Sequence, residues 1–454
     1  MRETLASISK LVIGAEETSA LRDRLVRGAG GLLGLRIAFS SLAFAGTVVL
    51  ARLLGQVGYG FYSYAWAWTV LITVPAVLGM DQLLVRDVAA CHAKSEWGRL
   101  RGLLRKATLA VFLTSTSLAV VTGTAAWLIL RGRISAGLLP TFCVALTLVP
   151  LVALTRVRQA AMQGLHRVAL GSLPEQLIQP AVLLAFLSLL YLFHDHRLTG
   201  PLAMSLNALS AAIAFAVGAI LLYRILPRSV KTAAPVVQDL ALARSALPIL
   251  AVAGVSVLFG QADTLILGAL KGAASVGIYT VAHKGAESVS YPLAVQNAAF
   301  ASTIASLYAT GERERLQRLV TRLTRWTLLA SAPVALGLIV LGRWFLYLYG
   351  PQFSGARLTL AILSAAQLFD VAIGSVGILL VMTGHERDAA IATAAGALAN
   401  IALTFLLVPR WGSEGAAVAY GIGMILWNLM AAVALNRRTG IDSSALGMLP
   451  FSIR

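Results

Sequence analysis

Twelve apolar stretches, each close to the length that crosses a bilayer, constrain this chain more than any single motif does. They lie at about 29–53, 60–82, 106–130, 136–155, 171–193, 199–223, 246–269, 277–306, 326–348, 357–382, 389–408 and 414–436. Roughly 20 apolar residues in a helix span the hydrocarbon core. Lipid cannot satisfy an open strand edge, so these segments are expected to be helices. Mean hydropathy is +0.81 and only 12% of residues are charged. The polar gaps reach about 25 residues at most, too short for a soluble domain. The expected fold is therefore all-α and integral to the membrane.

The formal net charge of +18 would suit a nucleic-acid partner, but the distribution of charge points elsewhere. With residues 1–28 cytoplasmic and alternation from there, 27 of the 37 Lys and Arg fall in cytoplasmic segments, Arg156, Arg158 and Arg167 among them. Seven fall in outer loops and three (Arg36, Lys284, Arg343) within spans. This asymmetry predicts cytoplasmic N and C termini and explains the basic pI without nucleic acid. Residues 1–28 lack the apolar core of a signal peptide. Leu5, Ile8, Leu11 and Val12 would suit either a short surface helix or a loose tail. Cys91 is expected in a cytoplasmic loop and Cys143 in a span, so no disulfide is expected.

The chain also repeats itself. LARLLGQVGYGFYSYA (50–65) and LGALKGAASVGIYTVA (267–282) align without a gap, sharing Gly55/Gly272, Gly60/Gly277 and Tyr62/Tyr279. MQGLHRVAL (162–170) echoes MTGHERDAA (382–390) through Met162/Met382, Gly164/Gly384 and Arg167/Arg387. The two offsets are near half the chain length. Each half carries six spans, an even number, so the copies are expected as parallel repeats, with a substrate site between them. The expected division is a cytoplasmic segment 1–28, an N-lobe 29–223, a basic Pro-containing linker 224–245, a C-lobe 246–436 and a cytoplasmic tail 437–454. Gly55, Gly60, Gly272 and Gly277 are expected to bracket short outer turns. Tyr62 and Tyr279 are expected just inside the following helix, at interfacial depth.

ARLLGQVGYGFYSYA, GMDQLLVR (79–86), QGLHRV (163–168), QADTLILGALKGAASVGIYTVA (261–282) and the segment 383–421 resemble, in order and spacing, the polysaccharide-transporter branch of the multidrug/oligosaccharidyl-lipid/polysaccharide exporter superfamily. The resemblance implies two six-helix lobes around a central cavity. It also implies flipping of lipid-linked oligosaccharides, usually on undecaprenyl diphosphate, across the bacterial inner membrane. Membrane lipids and glycan polymerase or assembly proteins would be its partners. Two extra helices usual in peptidoglycan-precursor flippases are absent from the twelve-span count.

Several intramembrane polar residues are candidates for that work. Arg36 lies about 10 Å into the first span. The resemblance puts basic residues in the cavity, where a guanidinium suits a diphosphate; snorkelling to the interface is the plainer reading. Lys284 is the second cation, with an internal pair to Glu287 at i,i+3 as its alternative. Asp263, Asp370 and Asn400 carry the oxygens that H⁺ or Na⁺ coupling needs, or else they simply bond neighbouring helices. Asp81 and Arg86, beside Asp87, would latch a cytoplasmic gate or form an ordinary interfacial pair.

No catalytic group, metal site or further cofactor is expected. HDHR (194–197) reads as an exposed polar turn, GAGGLLG (28–34) lacks a preceding strand, and no P-loop occurs. The rival functions are a multidrug or cation antiporter of the same superfamily, which would favour an acidic cavity, and a membrane enzyme acting on lipid-linked glycans. The short outer loops disfavour the enzyme. A non-transporting scaffold in a glycan-assembly complex is the third alternative.

Overall fold

A computed structural model describes residues 19–130, 137–193, 198–236 and 242–447; side chains are described within 39, 41–128, 137–192, 198–236 and 253–447. Every regular element among them is helical. Nine described segments are long and apolar enough to cross a membrane. The chain divides into two compact units, Leu42–Ile278, and Tyr279–Arg454 grouped with the start of the chain.

Helix α1 (Ser19–Val77) is broken at Gly55, whose φ of 65° and ψ of −178° lie outside helical space. This break separates the first two expected spans. The second span does not run on to residue 82. Pro75 lies within the last turn, Leu78 and Gly79 take positive φ, and α2 (Met80–Ala93) starts afresh. The end of α1 leaves carbonyls without a helical donor. The Thr114 hydroxyl of α3 (Trp97–Leu130) donates to one of them, Ala76 O, at 2.8 Å.

After α3 come α4 (Leu138–Gly164) and α5 (Val168–Leu173). A π-turn at Pro174–Ile178 leads into α6 (Gln179–Phe193). Pro174 and Pro180 lack the N–H that a regular ladder needs, and the Gln179 N–H reaches back five residues to Pro174 O. Helices α7 (Gly200–Ile225) and α8 (Arg228–Thr232) follow. The start of the expected linker then lies along α3: Val236 N–H donates to Gly98 O at 3.0 Å and Arg101 to Ala233 O at 2.8 Å. Helix α4 is the centre of this unit, packed on α2, α3 and α7. Its buried face alternates small and large residues (Ala145, Leu148, Val149, Ala153, Val157), and small residues let lipid-embedded backbones approach closely.

Helix α9 (Leu242–Lys271) and the start of α10 (Ala273–Glu287) complete the unit. Here the two copies of the repeated motif meet. A Cβ on Gly60 would lie 1.8 Å from Ala273 O, and one on Gly277 would lie 2.2 Å from Gln56 O. Gly55 and Gly272 do take positive φ, as expected of turn glycines. Gly60 and Gly277 are instead helical. They are contact glycines, and the expectation that they make turns is corrected: a local repeat does not reveal that its copies pack on each other.

In the other unit, a 3₁₀ turn at Ser288–Ser290 separates α10 from α11 (Tyr291–Ala309). Helix α12 (Arg313–Tyr347) and a 3₁₀ turn (Pro351–Ala356) lead to α13 (Arg357–Ile373). Gly374, at φ 83°, interrupts the expected span 357–382 before α14 (Val376–Met382). A side chain there would meet Thr324 Oγ1 and Ser443 O, each at 2.6 Å. The last helix, α15 (Glu386–Thr439), is broken at Gly412 (φ 54°) between the last two expected spans. Helix α13 packs on both α12 and α15.

The duplication reaches further than the sequence echoes. At one turn Ser95 has positive φ, Glu96 N–H donates to Cys91 O, and Glu96 pairs with Arg99 at 3.0 Å before buried Leu100. Residues 216 further on, Gly311 has positive φ, Glu312 N–H donates to Leu307 O, and Glu312 pairs with Arg315 at 3.1 Å before buried Leu316. The second echo shifts register slightly. His166 and Gly384 take the positive φ, and Arg167 N–H to Met162 O matches His385 N–H to Leu380 O, both 2.8 Å. Gly164 and Gly384, matched by sequence, are therefore not structurally equivalent.

Candidate functional site

Polar groups gather in three places. In the Tyr279–Arg454 unit, α10 carries Tyr279, His283 and Glu287 at i, i+4 and i+8, one face of a helix. The His283 ring stacks on Tyr279 (5.7 Å, 22°) and meets Tyr420 of α15 edge-on (5.1 Å, 86°). His283 Nε2 lies 3.5 Å from Glu287 Oε1, and Lys284 Nζ lies 2.8 Å from Glu287 Oε2. Buried His283 Nδ1 has no hydrogen-bond partner among the described residues. Lys284 is thus held in the i,i+3 pair, with 45% of its side chain exposed.

A polar seam joins α13 to α15. Gln367 and Asp370, three residues apart on α13, meet Tyr420 and Asn428, two turns apart on α15. Asn428 Nδ2 donates to Asp370 Oδ1 at 2.8 Å, and Gln367 Nε2 reaches Tyr420 Oη at 3.5 Å. All four residues are buried. Asn428 Oδ1 has no hydrogen-bond partner among the described residues, so the seam holds an acceptor in reserve. The seam is built from Asp370 and Asn428. Asn400, on the same helix before the Gly412 break, is buried and accepts from Thr404 Oγ1 at 3.2 Å. Asp263 is buried in α9 and belongs to the Leu42–Ile278 unit. Asn428 was absent from the sequence candidates, although an amide deep in an apolar helix was a signal in plain view.

In the Leu42–Ile278 unit, Arg158, which the charge count assigns to a cytoplasmic segment, is buried inside α4. Its guanidinium donates to Glu175 Oε1 on the π-turn, and Gln159 Nε2 donates to Glu175 Oε2 at 2.9 Å. A Cβ on Gly218 of α7 would lie 2.3 Å from the guanidinium carbon, so a side chain there would push the guanidinium from its place. Proximity to an expected helix end hid Arg158, because sequence alone does not show the chain folding Glu175 back onto it.

The expected gate residues do not face each other as a pair. Asp81 Oδ1 accepts from the Gln82 N–H at 3.0 Å, while exposed Arg86 pairs with its neighbour Asp87 at 3.0 Å. Arg36 lies in α1, but its side chain is outside the described residues, as is the HDHR run. Among the described residues no group of three or more His, Cys, Asp or Glu is placed to hold a metal ion.

Many apolar helices with ionisable groups buried along them define a multi-pass membrane protein. The chain belongs to the polysaccharide biosynthesis protein family, whose model matches residues 25–300. The MatE family model matches residues 248–406. The chain is 30% identical over 178 residues to a protein of Haloferax volcanii named "Probable flippase AglR"; the match spans 38% of this chain and 37% of that one. An inward-facing multidrug resistance MATE family transporter of the MOP superfamily shares the fold at a TM-score of 0.70 and 13% identity, over 97% of this chain and 98% of that one. Lipid II flippase MurJ in an inward closed conformation gives 0.67 at 15% identity, over 89% and 87%. The chain thus shares a family with polysaccharide biosynthesis proteins and a fold with the MATE transporter and MurJ.

Proposed function

We propose that this protein flips an undecaprenyl-diphosphate-linked oligosaccharide from the inner to the outer leaflet of a bacterial inner membrane, by alternating access of two six-helix lobes, for surface or exopolysaccharide biosynthesis. The observation that carries this reading is the polysaccharide biosynthesis family match over residues 25–300. The likeness to a named flippase supports it. In this reading both termini are cytoplasmic, and the lobes comprise residues 29–223 and 246–436. Arg36 and Lys284 face the diphosphate, with Lys284 exchanging Glu287 for substrate. The Asp370–Asn428 seam takes the coupling H⁺ or Na⁺. Asp81 and Arg86 act at the inner gate. The protein acts as a transporter and makes no covalent change in its cargo.

A multidrug antiporter is the second reading, favoured by the MatE match over residues 248–406. The deciding experiment reconstitutes the protein in vesicles with undecaprenyl-diphosphate oligosaccharide and follows outer-leaflet exposure. Wild type is expected to flip, and Arg36→Ala and Lys284→Ala to lose at least tenfold in rate while keeping the wild-type Tm. Transport of organic cations, with no flipping of several glycans under potential and ion gradients, would replace the flippase by the antiporter.

A further inference from the structure

The π-turn does more than seat the Arg158–Glu175 pair. Between α1, α4, α6 and α7, wholly within the Leu42–Ile278 unit, lies a cavity of about 190 Å³. Trp66, Thr155, Arg156, Gln159, Glu175 and Gln179 are on its wall. It is smaller than the roughly 300–1,000 Å³ of a drug-sized site, and so suits a single ring better than a drug. π-turns inside α-helices are frequent at functional sites. Here one presents Glu175 and Gln179, four residues apart, to the same space.

The wall chemistry is specific. A carboxylate accepts at about four lone-pair positions. Arg158 and Gln159 each take one oxygen of Glu175, leaving further acceptor capacity for hydroxyl donors. Gln179 Nε2 donates to Asn207 Oδ1 at 3.3 Å, which orients the amide and leaves its carbonyl oxygen for another donor. Fixed acceptors and amide donors beside the half-buried indole of Trp66 suit a ligand polar at its edge and apolar on its face, which is the surface of a pyranose ring. Arg158 and Glu175 cancel in charge. Half-buried Arg156, which makes no ion pair among the described residues, leaves the cavity one positive charge in surplus. A guanidinium is suited to donate paired hydrogen bonds to an oxyanion.

We infer that this cavity is a subsite for a pyranose bearing an anionic group, with the ring against Trp66, its hydroxyls on Glu175, Gln159 and Gln179, and the anion on Arg156. The inference rests on the flippase reading, in which such a sugar is either the residue carrying the diphosphate or an acidic residue of the glycan. The test measures calorimetric binding to the full chain in detergent with four probes: glucose 1-phosphate, glucuronate, glucose and inorganic phosphate. At least one anionic sugar is expected to bind ten times more tightly than glucose and than phosphate, and the one that does so identifies the anion. Arg156→Gln is expected to remove that preference yet leave glucose binding in place, with Arg156→Lys restoring part of it. Trp66→Leu is expected to weaken every sugar and leave phosphate unchanged. An anionic sugar that binds Arg156→Gln as well as wild type, or no tighter than phosphate alone, overturns the subsite. Flipping in vesicles separates the two readings: a chain that flips its cargo but binds no anionic sugar loses only the subsite, and one that binds the sugar but flips nothing loses only the flippase.

Discussion

A buried ion pair shows how much a single residue depends on its neighbours. Arg158 is buried and paired with a largely buried Glu175, and such a pair adds little net stability over an apolar substitute. Removing one partner is different, because it strands the other charge. Glu175→Ala is expected to cost about 3–5 kcal/mol, read as a drop in Tm in detergent. The double variant Arg158→Met/Glu175→Leu should recover most of the loss. Equal damage from single and double variants would mean that the pair itself, rather than the stranded charge, sets stability. At this scale the sequence was partly legible. The Lys284–Glu287 pair follows from i,i+3 spacing, and it forms. Arg158 did not announce itself, because its partner is 17 residues away and reaches it through a tight turn at His166 and the π-turn that begins at Pro174.

Elements meet where side chains are missing. Gly60 on the second segment of α1 and Gly277 on α10 each face a backbone carbonyl of the other copy of the motif. Backbone cannot swing aside as a flexible side chain can. Gly60→Ala and Gly277→Ala are each expected to destabilise by about 1–3 kcal/mol, and the double variant by less than their sum, because one crossing is being opened. Gly260→Ala, with nothing within 4 Å of the added methyl, should be neutral or stabilising by up to about 1 kcal/mol. Thermal unfolding of the four variants checks all of this; a Gly260→Ala as damaging as Gly60→Ala would rule out the contact explanation. Apolar periodicity made the helices legible, and the glycine breaks at 55 and 412 fell where the sequence put turns between spans. The breaks at Gly79 and Gly374 did not show, because each glycine lies inside a stretch whose composition reads as one span. Pro75, and the crowding of Gly374 by Thr324 and Ser443, decide them in three dimensions.

For the molecule as a whole, the charge of the proposed cargo sets the energetics. One elementary charge crossing 100 mV is worth about 2.3 kcal/mol, so a diphosphate head with roughly two negative charges leaving an inside-negative cell gains about 4–5 kcal/mol per 100 mV. Outward flipping in vesicles is therefore expected to accelerate under an inside-negative potential and slow when the potential is collapsed or reversed. Flux that ignores potential but follows a Na⁺ or proton gradient would move the driving force to the Asp370–Asn428 seam, and Asp370→Asn should then abolish it. The sequence by itself determined an all-helical, membrane-spanning, internally repeated chain of this family, because apolar length and the repeated motifs are linear properties that survive without coordinates. The tertiary structure decided which polar residues are partners. Asn428 rather than Asn400 holds Asp370, Glu175 holds Arg158, and the two motif copies lean on each other through Gly60 and Gly277. Lipid offers a buried polar group no water to bond, so the partners these residues have are set by the crossing of helices distant in sequence.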